Sequence, residues 1–192
     1  MTDNKQRLAS NLPYWSKDDP ATQLKTPRLS NEIYAASSSS YVLVCVEIML
    51  ICRDPRRLVH VFLPWRQRKP CVGWWYFGGR VQRGEMENEA AQRVLEREAG
   101  LKLPLPRFVY VRDHRLICGD REEIPQDAGA DYLSHQFVVD IDPEKELGTV
   151  REHLDGLEFD RERGILMACN RGDLIRAHAH HSIISLYDAV FS

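Results

Sequence analysis

Apolar positions along this chain fall into two periods. Tyr41 to Ile51 reads YVLVCVEIMLI, an apolar and β-branched run that predicts a buried strand with Glu47 inside it. A turn at Arg53 to Arg57, carrying Asp54 and Pro55, leads to a returning strand at Leu58 to Pro64. Gly73 to Phe77 predicts an aromatic strand, and Phe108 to His114 and Tyr132 to Ile141 predict two more. Between them, residues 115–130 read as a polar loop with Gly119, Pro125 and Gly129. The helical period shows at Ala91, Val94, Leu95 and Glu98, one face with three apolar residues and one carboxylate. That helix opens at Gly84 and Glu85 and stops at Gly100. A second helical face joins Ile175, Ala179, Ser182, Ile183, Leu186 and Val190. Ser30 is the expected N-cap of a short helix through Ala36. Pro143 to Gly148 reads as a connection, with a short strand or turn around Leu157 to Phe159. Strands in the middle and separated helices predict an α/β fold, a mixed β-sheet sandwiched between helices.

Length and charge narrow the classes. At 192 residues the chain holds one domain with a full core. Residues 1–28, broken by Pro13, Pro20 and Pro27, are expected as an N-terminal extension or arm, and residues 29–192 as the domain. A formal net charge of -2 gives no ground for nucleic-acid or acidic-membrane binding. No apolar run approaches the ~20 residues of a spanning helix. Five cysteines without CxxC spacing read as reduced thiols of a cytoplasmic protein.

The chemistry centres on Gly78 to Leu101, GGRVQRGEMENEAAQRVLEREAGL. A carboxylate on an apolar helix face needs a cationic partner, and backbone carbonyls at a double glycine suit a hard divalent ion. This stretch resembles the Nudix box, G-x5-E-x7-R-E-U-x-E-E-x-G-U, at Gly79, Glu85, Arg93, Leu95, Glu98, Gly100 and Leu101. Val94 and Arg97 stand where the family carries two metal-binding glutamates. The GDP-mannose mannosyl hydrolases are a similar branch that lacks both and shares GGRVQ followed by an acidic residue.

That resemblance implies a divalent-metal-dependent hydrolase of a nucleotide sugar, with Mg²⁺ or Mn²⁺ held by Gly78, Glu98 and Glu152. It implies His153 as general base, and Arg66, Arg80, Arg93 and His114 as catalytic groups. Glu47, Arg66 and Arg80 would bind the nucleotide sugar, and the expected assembly is a homodimer. Water would attack sugar C1 while one metal ion and the arginines stabilise a leaving nucleoside diphosphate. Arg97, if it faced the site, would repel a second cation. The chain departs from the branch in four places. The approach GWWYFGGR is one residue shorter and has Phe77 where proline is expected, Glu152 replaces a glutamine, Gln136 a tyrosine, and the 115–130 loop is longer. Two other readings stand beside this one. The first is a conventional Nudix phosphohydrolase using Glu85, Glu96 and Glu152. The second is a nucleotide-binding regulator. His135 and the His178, His180, His181 cluster read as structural or surface groups.

Overall fold

A computed structural model of the protein describes residues 29–53 and 59–191. The expected N-terminal arm and the Asp54–Pro55 turn lie outside the described residues. Helix α1 (Asn31–Ser40) is capped by Ser30, whose hydroxyl accepts from the Ile33 amide at 3.4 Å. It runs past Ala36 to Ser40, and Ser37, Ser38 and Ser39 satisfy their hydroxyls by donating to carbonyls four residues earlier.

Seven strands form one mixed sheet: β1 (Leu43–Arg53), β2 (Val59–Arg66), β3 (Gly73–Trp74), β4 (Phe77–Arg80), β5 (Phe108–Cys118), β6 (Ala130–Asp140) and β7 (Ile165–Ala168). The main path is β3-β2-β1-β6-β5, with β4 added to β1 and β7 to β2. β1 and β6 run parallel, and the other named pairs are antiparallel. The expected aromatic strand is broken in two because its halves pair with different neighbours. Gly73 and Trp74 pair with β2, whereas Phe77 to Arg80 pair with β1. β4 takes the first half of β1, Cys45 to Ile48, and β2 takes the second, Leu50 to Arg53. β4 thus holds the edge along which the end of β2 would otherwise continue, and β2 diverges from β1 there.

The pleat divides β1 between two cores. Val46, Ile48 and Leu50 face helix α2 (Glu87–Ala99), which supplies Ala90, Ala91, Val94, Leu95 and Ala99. Met49 and Ile51 face the other layer, where Leu174 of α4 (Arg171–Arg176) and Ile183 and Leu186 of α5 (His181–Phe191) pack. Helices therefore cover both faces of the sheet, as the hydrophobic pattern predicts.

Three boundaries differ from the sequence reading. β5 continues to Cys118 because its pairing with β6 extends to Ala130, with Arg115 and Asp131 in ionic contact at 2.6 Å; the loop shrinks to 119–129. The expected connection after Pro143 becomes α3 (Glu146–His153), held by buried Leu147 and Val150. The expected last helix is two helices, separated where His178 takes a positive φ of 54°. Among the described residues no helix is long and apolar enough to cross a membrane.

Candidate functional site

The divergence of β2 from β4 opens a cavity of about 300 Å³ beside the glycine turn. Of the expected site residues, Glu47, Arg66, Gly78, Arg80 and Glu98 line it. Each reaches it for a reason of register. Glu47 opposes Gly78 across β1 and β4, so both look into the same gap. Arg66 ends β2 where that strand leaves the sheet, and Arg80 ends β4. Glu98 lies on the apolar stripe of α2 and reaches under the turn, where one oxygen accepts from the Gly78 amide at 3.0 Å.

Burial dominates the electrostatics of the two inner carboxylates. Glu47 is 6% exposed, and desolvation pushes its carboxyl up to about 7 against the pull of Gln136 and Arg66. Among the described residues its carboxylate takes one hydrogen bond, from Gln136 Nε2 at 3.1 Å, and Gln136 in turn accepts from Arg112 Nε at 3.0 Å. Glu98, 2% exposed, is likewise pushed up to about 7 by burial, opposed by Arg97 and the Gly78 amide. Arg66 is paired with Glu158 at 2.5 Å. Arg80 lies over the ring of Tyr34, 3.7 Å from its centroid.

The other expected residues lie elsewhere. Arg93 grips Glu85 with two donors at 2.6 and 2.8 Å and donates to the Arg80 carbonyl at 2.9 Å, so it holds the turn in shape. His114 faces the α5 side, where burial, Arg112 and His181 lower its pKa; its Nε2 is buried without a hydrogen-bond partner among the described residues. Glu152 and His153 sit exposed on the last turn of α3, outside the cavity, and not on a loop. His153 instead lies against Gly100, where an added Cβ would meet its Cγ at 2.6 Å, and its Nδ1 is 3.0 Å from the Thr149 carbonyl. His135 is tied to Asp113 at 2.7 Å.

Among the cavity residues that the sequence expectation did not assign to the site, Glu158 and Arg97 contact its charged groups directly. Glu158 comes from a motif-free stretch and arrives only because the segment after α3 pairs with the end of β2, Arg66 bridging Phe159. Arg97 was visible as a departure from the box pattern. It lines the cavity, and its Nη2 contacts Glu98 Oε1.

The metal expected from the box does not fit this donor set. A hard divalent ion needs several converging, uncommitted oxygens. Here Glu98 is held by Arg97 and the Gly78 amide, Glu158 by Arg66, and Glu85 by Arg93. Glu152 is not in the cavity. Among the described residues, no group of three or more His, Cys, Asp or Glu could hold a metal ion.

Comparison with known proteins starts from the fold. An Ap4A hydrolase of C. elegans, in a binary complex, aligns over 78% of this chain and 95% of its own, with 15% identity and a TM-score of 0.53. A mutT/nudix family protein from Listeria innocua covers 78% and 91% at 17% identity and 0.52. A NUDIX hydrolase from Nitrosomonas europaea covers 78% and 88% at 19% identity and 0.51. At these identities the likeness is one of fold. No curated protein sequence matches the chain. Residues 44–170, from β1 through the α4 N-cap, match the NUDIX domain as a family. With the box helix, its glycine turn and the enclosing mixed sheet all inside that span, the chain belongs to the NUDIX domain family.

Proposed function

We propose that this chain hydrolyses a nucleotide derivative carrying a diphosphate, with nucleotide sugars of the GDP-mannose type as its substrate class. The observation that carries the reading is the cavity itself. Arg66, Arg68, Lys69, Arg80 and Arg97 line it together with Tyr34, Trp75, Tyr76 and Tyr132. Guanidinium groups bind phosphate oxygens through paired donors, and aromatic rings offer faces to a base or sugar. A volume of about 300 Å³ suits a small polar ligand.

The same groups favour cleavage at the sugar carbon. With Glu98 and Glu158 held by arginines, few oxygens remain to gather metal ions around an attacked phosphorus, whereas cations at the cavity wall would stabilise a departing diphosphate. In that step a water oxygen bonds to C1, the C1–O bond breaks, and the diphosphate leaves with the electron pair. The water proton goes to Glu47, whose carboxylate has no arginine in contact among the described residues and whose pKa near 7 suits general-base work.

Hydrolysis of GDP-mannose in ¹⁸O-labelled water, with and without Mg²⁺, tests the reading. Label in free mannose together with unlabelled GDP is the expected result. Label in phosphate would move the chain to the phosphohydrolases. Tight binding without turnover would favour a nucleotide-binding protein, a second reading supported by the exposed position of His153.

A further inference from the structure

The donor set at the glycine turn is closed by a side chain that sequence spacing alone would send elsewhere. Arg97 and Glu98 are neighbours on α2, and adjacent helical residues point about 100° apart. Their contact requires Arg97 to fold back over the turn. The path exists because residue 79 is glycine: a Cβ there would come within 3.1 Å of Arg97 Nη2 and 2.9 Å of Val94 Cγ2. Glu98 then has both oxygens engaged, one by Arg97 and one by the Gly78 amide. Five cationic side chains in the cavity wall face five carboxylates, Glu47, Glu98, Glu122, Glu123 and Glu158. There is no surplus of negative charge to draw a divalent ion. Arg97 keeps donors to spare, since a guanidinium carries five N–H groups and its side chain is 51% exposed.

We propose that Arg97 is the resident cation of this site. It stands beside Glu98 where a divalent ion would otherwise sit, and it receives the ligand's diphosphate with Arg66 and Arg80, so that binding needs no metal. The ligand part of this inference rests on reading the cavity as a nucleotide site. The charge substitution rests on the Arg97–Glu98–Gly78 geometry.

The test has two independent arms. Electron paramagnetic resonance of Mn²⁺ titrated into the protein without nucleotide should show no stoichiometric site in the wild type. Arg97→Glu should gain one Mn²⁺ per chain. Arg97→Gln, which frees Glu98 without adding charge, should show a weaker gain, and thermal melts establish that each variant is folded. In the second arm, calorimetry with GDP-mannose in a Glu47→Gln background, where turnover is slowed, should give the same Kd in EDTA as in Mg²⁺, within about 3-fold, and adding Arg97→Gln should weaken it about 10-fold or more, as loss of a charged donor implies. One Mn²⁺ bound by the wild type and lost in Glu98→Gln would overturn the proposal, as would nucleotide binding that disappears in EDTA. Should GDP-mannose bind under neither condition, the nucleotide reading of the cavity fails, and with it the ligand part. The Mn²⁺ arm still decides whether Arg97 has taken the metal's place.

Discussion

Glu47 and His153 show how differently a residue's chemistry and its location can be read. Imidazole is the side chain most often used as a base at neutral pH, and the box resemblance points to His153. In the fold its ring lies against Gly100 at the helix end, while Glu47 lines the cavity with a carboxyl raised to about 7. Two substitutions separate them. Glu47→Gln keeps the shape and the contact to Gln136, and should lower kcat by roughly 10²–10⁴-fold with a small change in KM. His153→Gln should leave kcat within about 3-fold, because ordinary surface substitutions away from a site have small effects. A steady-state comparison that gave the reverse order would return the base to His153. Gly79 makes a third test. Alanine there would press on Val94 and Arg97, and overpacking of this kind costs about 1–3 kcal/mol. Urea denaturation of Gly79→Ala should show that loss, and the Mn²⁺ behaviour expected of Arg97→Gln should appear with it.

At the scale of elements, what the sequence made legible follows from how local each signal is. The α2 stripe of Ala91, Val94, Leu95 and Glu98 is buried as its spacing predicts, and Gly100 ends the helix with φ of 68°. These features need only a helix with one apolar face and a residue tolerant of the left-handed region. The elements missed are those fixed by distant partners. α3 has eight residues with Gly148 among them, a weak helix by propensity, and is held by Leu147 and Val150 in the core. β7 is four residues long and exists because β2 offers it an edge. Glu158 and the Arg97–Glu98 contact likewise depend on where segments meet, which no spacing rule encodes. The split of the last helix has a measurable consequence. His180 is half-buried against Trp75, with ring centroids 5.0 Å apart, and against His181 at 4.0 Å. Burial, and then His181 and His114, depress its pKa to about 4. In the unfolded chain it titrates near 6.5. The contribution to stability is therefore present above pH 6.5 and is lost as pH falls toward 4, where the unfolded chain takes up the proton first. Calorimetry should show Tm falling between pH 7 and pH 5. His180→Asn, which keeps an acceptor for the Ser182 amide at the helix start, should show a smaller fall.

For the molecule as a whole, the cavity wall depends on one buried side chain that belongs to no box position. Arg121 is fully buried in the 119–129 loop. Its Nε donates to the carbonyls of Glu123 and Pro125 at 3.2 and 3.1 Å, which folds the loop tip on itself. Its Nη1 donates to the Ala35 carbonyl at 3.1 Å and the Ser39 hydroxyl at 2.9 Å, which ties that tip to α1. Both joined segments face the cavity, Glu122 and Glu123 from the loop and Tyr34 from α1, and Tyr34 in turn carries Arg80 on its ring. The arginine thus couples a hairpin tip, a helix and a ligand-facing cation across more than eighty residues of chain. Methionine at position 121 matches much of its length and offers no donor, so it would strand four acceptors in or near the interior. Arg121→Met should reduce stability on the order of 2–4 kcal/mol, the scale for breaking a buried hydrogen-bond network. The loss should be local before it is global. Hydrogen exchange should quicken in residues 119–129 and 31–40 while β1 and β6 stay protected, and GDP-mannose affinity should fall as Arg80 loses its ring platform. Arg121→Lys should recover part of each effect, since one ammonium can reach some of the four acceptors but lacks the guanidinium's fixed fork. Unchanged exchange in α1 alongside a disordered loop would show that the helix stands without the tie, and that the cavity wall is two walls, independently built.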